Sequence, residues 1–250
     1  MNDRVKREKE AYDESDIFEE SHKLQSRFEH VFSCPNTLAG EDFFSRKIIE
    51  HTEGSVVLDY GCLFGALAPE LHKNNPKKII GIDISENGIR IANENHSDIA
   101  EFHVMDAHQM EFDDSSIDLV IGRGILHHLD YEVAINEINR VLKPGGIALF
   151  NEPLRDNPGA HLFRYLTPKA RTIDELPLSK VQIEYADRLF GMNDHFCVNL
   201  VTTPFAMLTS QLRVKPDNLL LRVCNSIDLR LRKTRIKYWM RSAYLVWIKK

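Results

Sequence analysis

Short apolar runs alternate with helix-forming segments between residues 55 and 152, and this alternation constrains the fold more than any other feature of the chain. Strand-like segments are SVVLD (55–59), KKIIGID (77–83), AEFHVMD (100–106), SIDLVIG (116–122) and IALFNEP (147–153). The intervening helices include one from about Ala66 to Lys73 and one that begins after Ser85, a good N-cap residue. A third, YEVAINEINRVL (131–142), has an apolar stripe of Val133, Ile135, Ile138, Val141 and Leu142. Strands joined by helices predict right-handed crossovers and a parallel sheet covered on both faces.

Composition narrows the class of protein. The chain has 250 residues, 43 % hydrophobic and 28 % charged, which predicts a globular domain. A net charge of −5 gives no general affinity for nucleic acid. Four dispersed cysteines without a CxxC pair argue against a zinc site or disulfide framework. No apolar run of 18 residues and no signal-peptide pattern occur, so we expect a cytoplasmic protein without a membrane span.

The outer segments suggest four parts. Residues 1–50 are expected to form a helical cap, 51–153 the α/β core, and 154–192 a polar, proline-containing lid on the substrate side. Residues 193–250 would complete the sheet, ending in the β-prone SAYLVWIKK. The stretch 222–241 is clearly basic. We interpret it as a solvated helix face, with contact to a membrane surface or an anionic substrate as the alternative.

Acidic residues end three of the predicted strands. Asp59, Asp83 and Asp106 stand at these ends, and Asp59 leads into a turn that contains Gly61 and Gly65. In a parallel α/β sheet the ligand lies beyond the carboxyl ends of the strands. Three carboxylates there disfavour a polyphosphate and suit a cationic adenosine ligand. A single Asp could simply cap the next helix, but three in register favour a binding crevice.

The motifs VVLDYGCLFG, IIGIDIS, VMDAHQMEF, IDLVIGRGILHHL and INRVLKPGGIALFNEP resemble, in order and spacing, those of class I S-adenosylmethionine-dependent methyltransferases. The resemblance covers about residues 50–153. It implies a doubly wound, Rossmann-like α/β fold with a seven-stranded sheet whose last strand, SAYLVWIKK, is antiparallel. It also implies S-adenosyl-L-methionine as cofactor and S-adenosyl-L-homocysteine as product. The segments after the core look like those of bacterial enzymes that tailor sugars or secondary metabolites.

The resemblance also implies roles for individual residues. The turn from Asp59 to Gly65 would hold the methionine part, Asp83 the ribose hydroxyls, and Ile84 would pack on the adenine. Asp106 and Ala107 would face the adenine edge, and Gly122 and Arg123 would pass beneath the sulfonium. The predicted cofactor-binding residues are therefore Asp59, Gly61, Cys62, Gly65, Asp83, Ile84, Asp106, Ala107, Gly122 and Arg123.

Leu63 departs from the family pattern, which usually has glycine at this position of the turn. A leucine with positive φ is strained by about 1–2 kcal/mol. The prediction is therefore a negative φ at Leu63, with its amide directed at the ligand.

Methyl transfer from a sulfonium requires an in-line nucleophile, and a base where that nucleophile carries a proton. His127 and His128 follow the fourth strand and are candidate bases, with His128 preferred, although either could be structural. Glu152 ends the fifth strand and would orient substrate or accept a proton. No metal is expected. Candidate substrate-contacting residues are Tyr12, His161, Arg164, Tyr165 and Arg171, whereas His195 is expected to lie at a strand edge.

The leading hypothesis is a methyltransferase for a small-molecule hydroxyl or amine, with no nucleic-acid partner and an open oligomeric state. The alternative is a cofactor-binding protein of the same fold diverted to another reaction or to a non-catalytic partner role, which Leu63 favours. An RNA or protein methyltransferase has only the basic run in its support. A dehydrogenase is disfavoured because the turn is GxxxG and not GxGxxG.

Overall fold

The computed structural model describes residues 23–159, 175–212 and 214–250, together with Arg7 and Lys9. The candidate substrate residues Tyr12, His161, Arg164, Tyr165 and Arg171 lie outside these ranges, so their roles stay predictions, as does the lid. In the described part of the chain, no helix is long and apolar enough to cross a membrane.

Helices and strands alternate through the described residues. In chain order they are α1 (Glu29–Ser33), α2 (Pro35–Thr52), β1 (Val56–Tyr60), α3 (Ala68–His72), β2 (Lys78–Asp83), α4 (Glu86–His96), β3 (Glu101–Val104), β4 (Ile117–Arg123), α5 (Tyr131–Val141), β5 (Leu142–Pro153), α6 (Lys180–Phe190), β6 (Gly191–Asn193), β7 (Phe196–Val198), α7 (Thr202–Ser210), α8 (Leu219–Leu231) and β8 (Ser242–Lys249). Short 3₁₀ turns span Leu126–His128 and Arg235–Trp239.

One mostly parallel sheet organises the molecule in the order β3-β2-β1-β4-β5-β8-β6, with β7 also paired to β8. Strands β1 to β5 are parallel, and β8 is antiparallel to β5, which confirms the prediction for SAYLVWIKK. Among the described residues the sheet has eight strands instead of the predicted seven, because β6 and β7 pair with successive parts of β8. Between them His195, 1 % exposed, accepts the Val246 N–H at Nδ1 and contacts Asp187 through Nε2, so it is a structural edge histidine.

Helices cover both faces of the sheet, as the alternation predicted. On one face, α2, α3 and α4 bury Phe44, Ile48, Leu71 and Ile89 against β1, β4 and β8. On the other face, α5 and α6 bury their apolar sides against the same strands. Ser85 caps α4 by accepting the N–H of Gly88. This two-sided covering leaves the carboxyl ends of the parallel strands as the place for a ligand.

Several boundaries differ from the sequence prediction. Strand β5 starts at Leu142 rather than 147, so KPGG lies within the strand, with a register irregularity opposite it in β4. Strand β3 ends at Val104, so Asp106 lies in the loop beyond it. Val133 was predicted to face the core but is 46 % exposed, because the buried side of α5 is formed by Tyr131, Ala134, Ile135, Ile138 and Val141.

Candidate active site

A cavity of about 240 Å³ lies at the carboxyl ends of β1, β2 and β4. Residues from the loops that follow these strands line it, because parallel strands bring their ends to one edge of the sheet. Predicted site residues among its lining are Gly61, Asp83, Ile84, Asp106, Ala107, Arg123 and His128. Leu63, whose amide was predicted to face the ligand, also lines the cavity. Met105, His108, Gly124, Ile125 and Leu129 line it as well and were not predicted as ligand contacts.

The turn after β1 contradicts the prediction for Leu63. Its φ is +45°, between Gly61 at +78° and Gly65 at +70°. The Leu63 amide donates to Oδ2 of Asp83 at 2.9 Å, so it does not point at a ligand. A charge-assisted hydrogen bond across two strand ends offsets the cost of a left-handed leucine. The turn is therefore built by Asp83 in place of a third glycine.

Asp83 organises both strand ends at this edge. Its other oxygen, Oδ1, accepts the N–H of Ser85 at 2.9 Å. Asp83 also lines the cavity, so one carboxylate both fixes the two strand ends and forms part of the cavity wall.

Asp59 is buried behind this turn and does not line the cavity. Burial and, to a smaller extent, the nearby Asp83 carboxylate raise the pKa of its carboxyl group to about 7, and Arg123 opposes the shift. Ionising both carboxyl groups at this edge of the sheet is therefore unfavourable, because their negative charges repel each other. A cation placed there would favour the ionised form of Asp59.

Three other predicted cofactor residues also lie outside the cavity lining. Cys62 is buried in the apolar core, and burial raises the pKa of its thiol above the usual range. A Cβ on Gly65 would approach Phe102 within 2.8 Å, and one on Gly122 would approach Phe150 within 2.4 Å. These two glycines are required by packing within the domain, and their contact with a cofactor stays a prediction.

The loop after β3 is fixed by a histidine that the sequence reasoning missed. Asp106 Oδ1 accepts the backbone N–H of His108 at 2.9 Å and lies 2.7 Å from its ring Nδ1. His108 Nε2 accepts the N–H of Asp130 at 2.9 Å, which assigns the proton of the neutral ring to Nδ1. The hydrogen bonds from His108 lower the pKa of Asp106. The sequence feature that could have identified His108 is DAH, in which the histidine comes two residues after Asp106.

Glu152 is fully buried and holds the turn that follows β4. Its Oε1 accepts the N–H groups of Ile125 and Leu126, both at 2.9 Å, and its Oε2 lies 2.7 Å from Nδ1 of His127. Gly124 enters the turn with φ +65°. Glu152 therefore fixes the turn and orients His127, and it does not line the cavity itself.

The two histidines of this turn differ in their surroundings. His128 lines the cavity, and its ring centroid is 4.1 Å from that of His127. His127 has Glu152 at one ring nitrogen and Glu175 Oε1 at 3.7 Å from the other, Nε2. The Leu176 N–H donates to the His127 carbonyl and keeps Glu175 close. Sequence reasoning missed Glu175, which is distant along the chain.

These three side chains could also hold a metal ion. Ligand atoms of His127, His128 and Glu175 lie within 4.8 Å of one another, the one such group among the described residues. The expectation of a metal-free site therefore stays a prediction that needs its own test.

Arg123 links the cavity to the N-terminal helices. It pairs with Glu41 at 2.8 Å and lies over the Phe44 ring, 4.6 Å from its centroid. Glu41 also accepts the Tyr244 hydroxyl at 2.8 Å, which connects α2, β4 and β8. The position of Arg123 is thus set by tertiary contacts on the cavity rim.

The comparison with protein families bears on this same region. Residues 58–150 match the profile of a family described as a methyltransferase domain. The sheet order and the match together show that these residues have the Rossmann-like α/β fold of class I methyltransferases. The loops that bound the cavity after β1, β2, β3 and β4 all lie within the matched residues.

Curated relatives match over the same part of the chain. A demethylmenaquinone methyltransferase of Staphylococcus carnosus is 35 % identical over 108 residues, which cover 41 % of this chain and 45 % of the relative. One of Chlorobaculum parvum is 35 % identical over 111 residues, covering 44 % of this chain and 46 % of the relative. The alignments thus span less than half the length of these relatives.

Solved structures share the fold over most of this chain. A phosphoethanolamine N-methyltransferase of Haemonchus contortus has a TM-score of 0.58 at 19 % identity, covering 89 % of this chain and 56 % of that one. A geranyl diphosphate C-methyltransferase of Streptomyces coelicolor has a TM-score of 0.57 at 11 % identity, with 84 % and 79 % covered. The [4+2]-cyclase SpnF has a TM-score of 0.53 at 21 % identity, with 83 % and 80 % covered.

Proposed function

We propose that this protein is an S-adenosylmethionine-dependent methyltransferase that acts on a hydroxyl or amine of a small molecule by in-line methyl transfer. The observation that carries the proposal is the acidic edge at the strand ends. Asp59 and Asp83 are close enough there to help raise the pKa of Asp59 to about 7. A sulfonium cation is a ligand that relieves this repulsion, whereas a polyphosphate would increase it. The match to a methyltransferase domain over these residues supports the same assignment.

The residues of the chain fit such a cofactor at defined positions. Asp83 lines the cavity with a carboxylate at the strand end, the kind of group that binds ribose hydroxyls in such folds, and Ile84 beside it offers an apolar surface for a base. Asp106 and Ala107 line the next part of the wall, where the proposal puts the adenine edge. Gly61 and Arg123 line the wall next to β1 and β4, where the proposal puts the methionine part. The bound group would supply an activated methyl, and the protein would supply position and charge.

We assign proton acceptance to the His127–Glu152 pair, in which the His127 ring lies behind the cavity-lining ring of His128 at a centroid distance of 4.1 Å. Glu152 fixes the ring of His127 through Nδ1 and stabilises the positive charge that forms when the ring takes up a proton. His128 lines the cavity, so we assign it to substrate contact. This reverses the preference drawn from sequence, because only the fold shows which histidine Glu152 supports.

Titration calorimetry tests the cofactor and turnover tests the reaction. S-adenosylmethionine should bind, and Asp83→Ala should weaken binding at least tenfold, since a buried charged hydrogen bond contributes about 1.5–3 kcal/mol. His128→Ala should lower turnover on an accepting substrate and leave cofactor affinity unchanged. Absence of cofactor binding by the wild-type protein would refute the proposal. A panel of hydroxyl, amine and carbon acceptors, followed by S-adenosylhomocysteine release, then decides the acceptor class.

A second candidate is a protein of the same fold that performs another reaction. The likeness to the [4+2]-cyclase SpnF over 83 % of this chain is the observation that favours it. Cofactor binding without release of S-adenosylhomocysteine on any acceptor of the panel would support this candidate over the first.

A further inference from the structure

Helix α8 exposes an apolar stripe on the side opposite its core contacts. Leu221, Cys224 and Asp228 face the interior. Leu219, Val223 and Ile227 are spaced four residues apart along another side and are 78 %, 51 % and 39 % exposed. Side chains at i, i+4 and i+8 share one face of a helix, so these three form a continuous row.

Two segments that contact α8 also expose apolar side chains. Helix α7, which packs against α8, exposes Leu208, and Leu212 follows it with 52 % exposure. The 3₁₀ turn after α8 exposes Trp239 at 53 %. Soluble proteins rarely expose a large apolar patch without an interaction partner. We call the exposed side of α7, α8 and the 3₁₀ turn the α8 face.

The charge on the α8 face is basic, in a chain whose net charge is −5. Among the described residues from 204 to 239, the exposed charged side chains include one acid, Asp217, which pairs with Arg222 at 2.7 Å. Four exposed basic side chains form no ion pair with other described residues. They are Lys215, Arg230, Lys233 and Arg235.

The α8 face is held rigidly to the domain. Asp228 is 1 % exposed and accepts the N–H groups of Leu200, Val201 and Thr202 at 2.8–3.1 Å. These hydrogen bonds connect the C-terminal half of α8 to the start of α7. The apolar row and the basic residues are therefore presented together by the folded protein.

We propose that the α8 face docks on the surface of a lipid bilayer that contains anionic lipids. The helix would lie in the plane of the interface, with the row of Leu219, Val223 and Ile227 among the acyl chains and the basic residues at the headgroups. Trp239 is suited to the same depth, because its ring is amphipathic. Charge decides the choice of partner: each basic residue near an anionic membrane strengthens binding about fivefold, or about 1 kcal/mol. This proposal does not depend on the reaction that the cavity catalyses.

Vesicle co-sedimentation with the full chain tests the proposal. The protein should sediment with vesicles that contain phosphatidylglycerol, bind phosphatidylcholine vesicles far less, and dissociate at about 1 M salt. The triple variant Arg230→Ala/Lys233→Ala/Arg235→Ala should bind about 100-fold more weakly. Val223→Glu/Ile227→Glu should also lose binding, which separates the apolar contribution from the charge.

Matched controls lie on another exposed helix. Val181, 70 % exposed on α6, and Arg188 on the same helix give Val181→Glu/Arg188→Ala, which should bind as the wild type does. Circular dichroism and thermal melting of each variant verify folding. The proposal is overturned if wild-type protein ignores anionic vesicles, or if variants in the α8 face bind as well as the control. It is also overturned if sedimentation velocity shows a dimer that Val223→Glu/Ile227→Glu abolishes, because the face would then join two copies of the chain.

Discussion

Replacing Asp59 by Asn should change how the stability of the protein depends on pH. The Asp59 carboxyl group has a pKa of about 7 in the folded protein, raised by burial first and by Asp83 second, against an ordinary value of 3.8. An acid with a raised folded pKa holds its proton more tightly when folded. Its contribution therefore opposes folding increasingly as pH rises from 3.8 to about 7 and is constant above that. A shift of about three pKa units corresponds to about 4 kcal/mol.

Asparagine has nearly the same shape and cannot ionise, so Asp59→Asn should remove this pH dependence. Between pH 5 and pH 8.5 the wild type should lose about 2.5–3 kcal/mol more unfolding free energy than the variant. Urea unfolding at both pH values measures this difference, with the exposed Asp113→Asn as the control that leaves the wild-type curve unchanged. Parallel curves for wild type and Asp59→Asn would refute the assignment of a buried, protonated carboxyl group at this position.

Three further predictions concern packing, catalysis and metal. Gly65→Ala should destabilise the fold by about 2–4 kcal/mol in urea unfolding, because the added Cβ would lie 2.8 Å from Phe102. The control is Gly54→Ala, which should destabilise the fold by only about 1–2 kcal/mol, because Gly54 has a positive φ but open space around it. Equal losses would contradict the packing argument. Glu152→Gln should lower kcat by at least tenfold and leave KM and cofactor affinity nearly unchanged, because His127 loses the carboxylate that stabilises its protonated form. An unaltered kcat would show that the His127–Glu152 pair takes no part in the reaction. Dialysis against EDTA should leave turnover unchanged, and a loss that Zn²⁺ or Mn²⁺ restores would show instead that the two histidines and Glu175 bind a metal.

The contrast between His127 and His128 shows where sequence reasoning stops. The motif GILHHLD identified both residues, and the sequence reasoning preferred His128 without knowing which contacts either ring makes. The structure separates them through Glu152, which lies beside His127 because β5 runs parallel to β4. Glu175 also lies close to His127 in the fold. No local sequence pattern predicts this contact, because the two residues are far apart along the chain. Contacts between elements remote in sequence depend on strand order and register, which the spacing of motifs does not specify.

The prediction for Leu63 was wrong for the same reason, because the deciding contact comes from another element. The local conformational preference of leucine favours a negative φ, and a positive φ at Leu63 is less favourable by about 1–2 kcal/mol. Asp83 overrides it by accepting the Leu63 amide from the end of the neighbouring strand. The strain and its compensation come from different elements, so only the folded chain shows both.

The sequence by itself determined the architecture and the location of the site. Periodic apolar runs predicted the parallel sheet and its helical layers, since hydrophobic burial follows local patterns. The antiparallel last strand was predicted from the resemblance to class I methyltransferases. The acidic residues near the ends of three strands marked the edge where the cavity lies. The tertiary structure decided which of these groups touch. It buried Asp59 beside Asp83, used Asp83 to build the Leu63 turn, and joined Glu152 to His127. Electrostatic and hydrogen-bond partners act over a few ångströms, and only the packed fold brings them within that range.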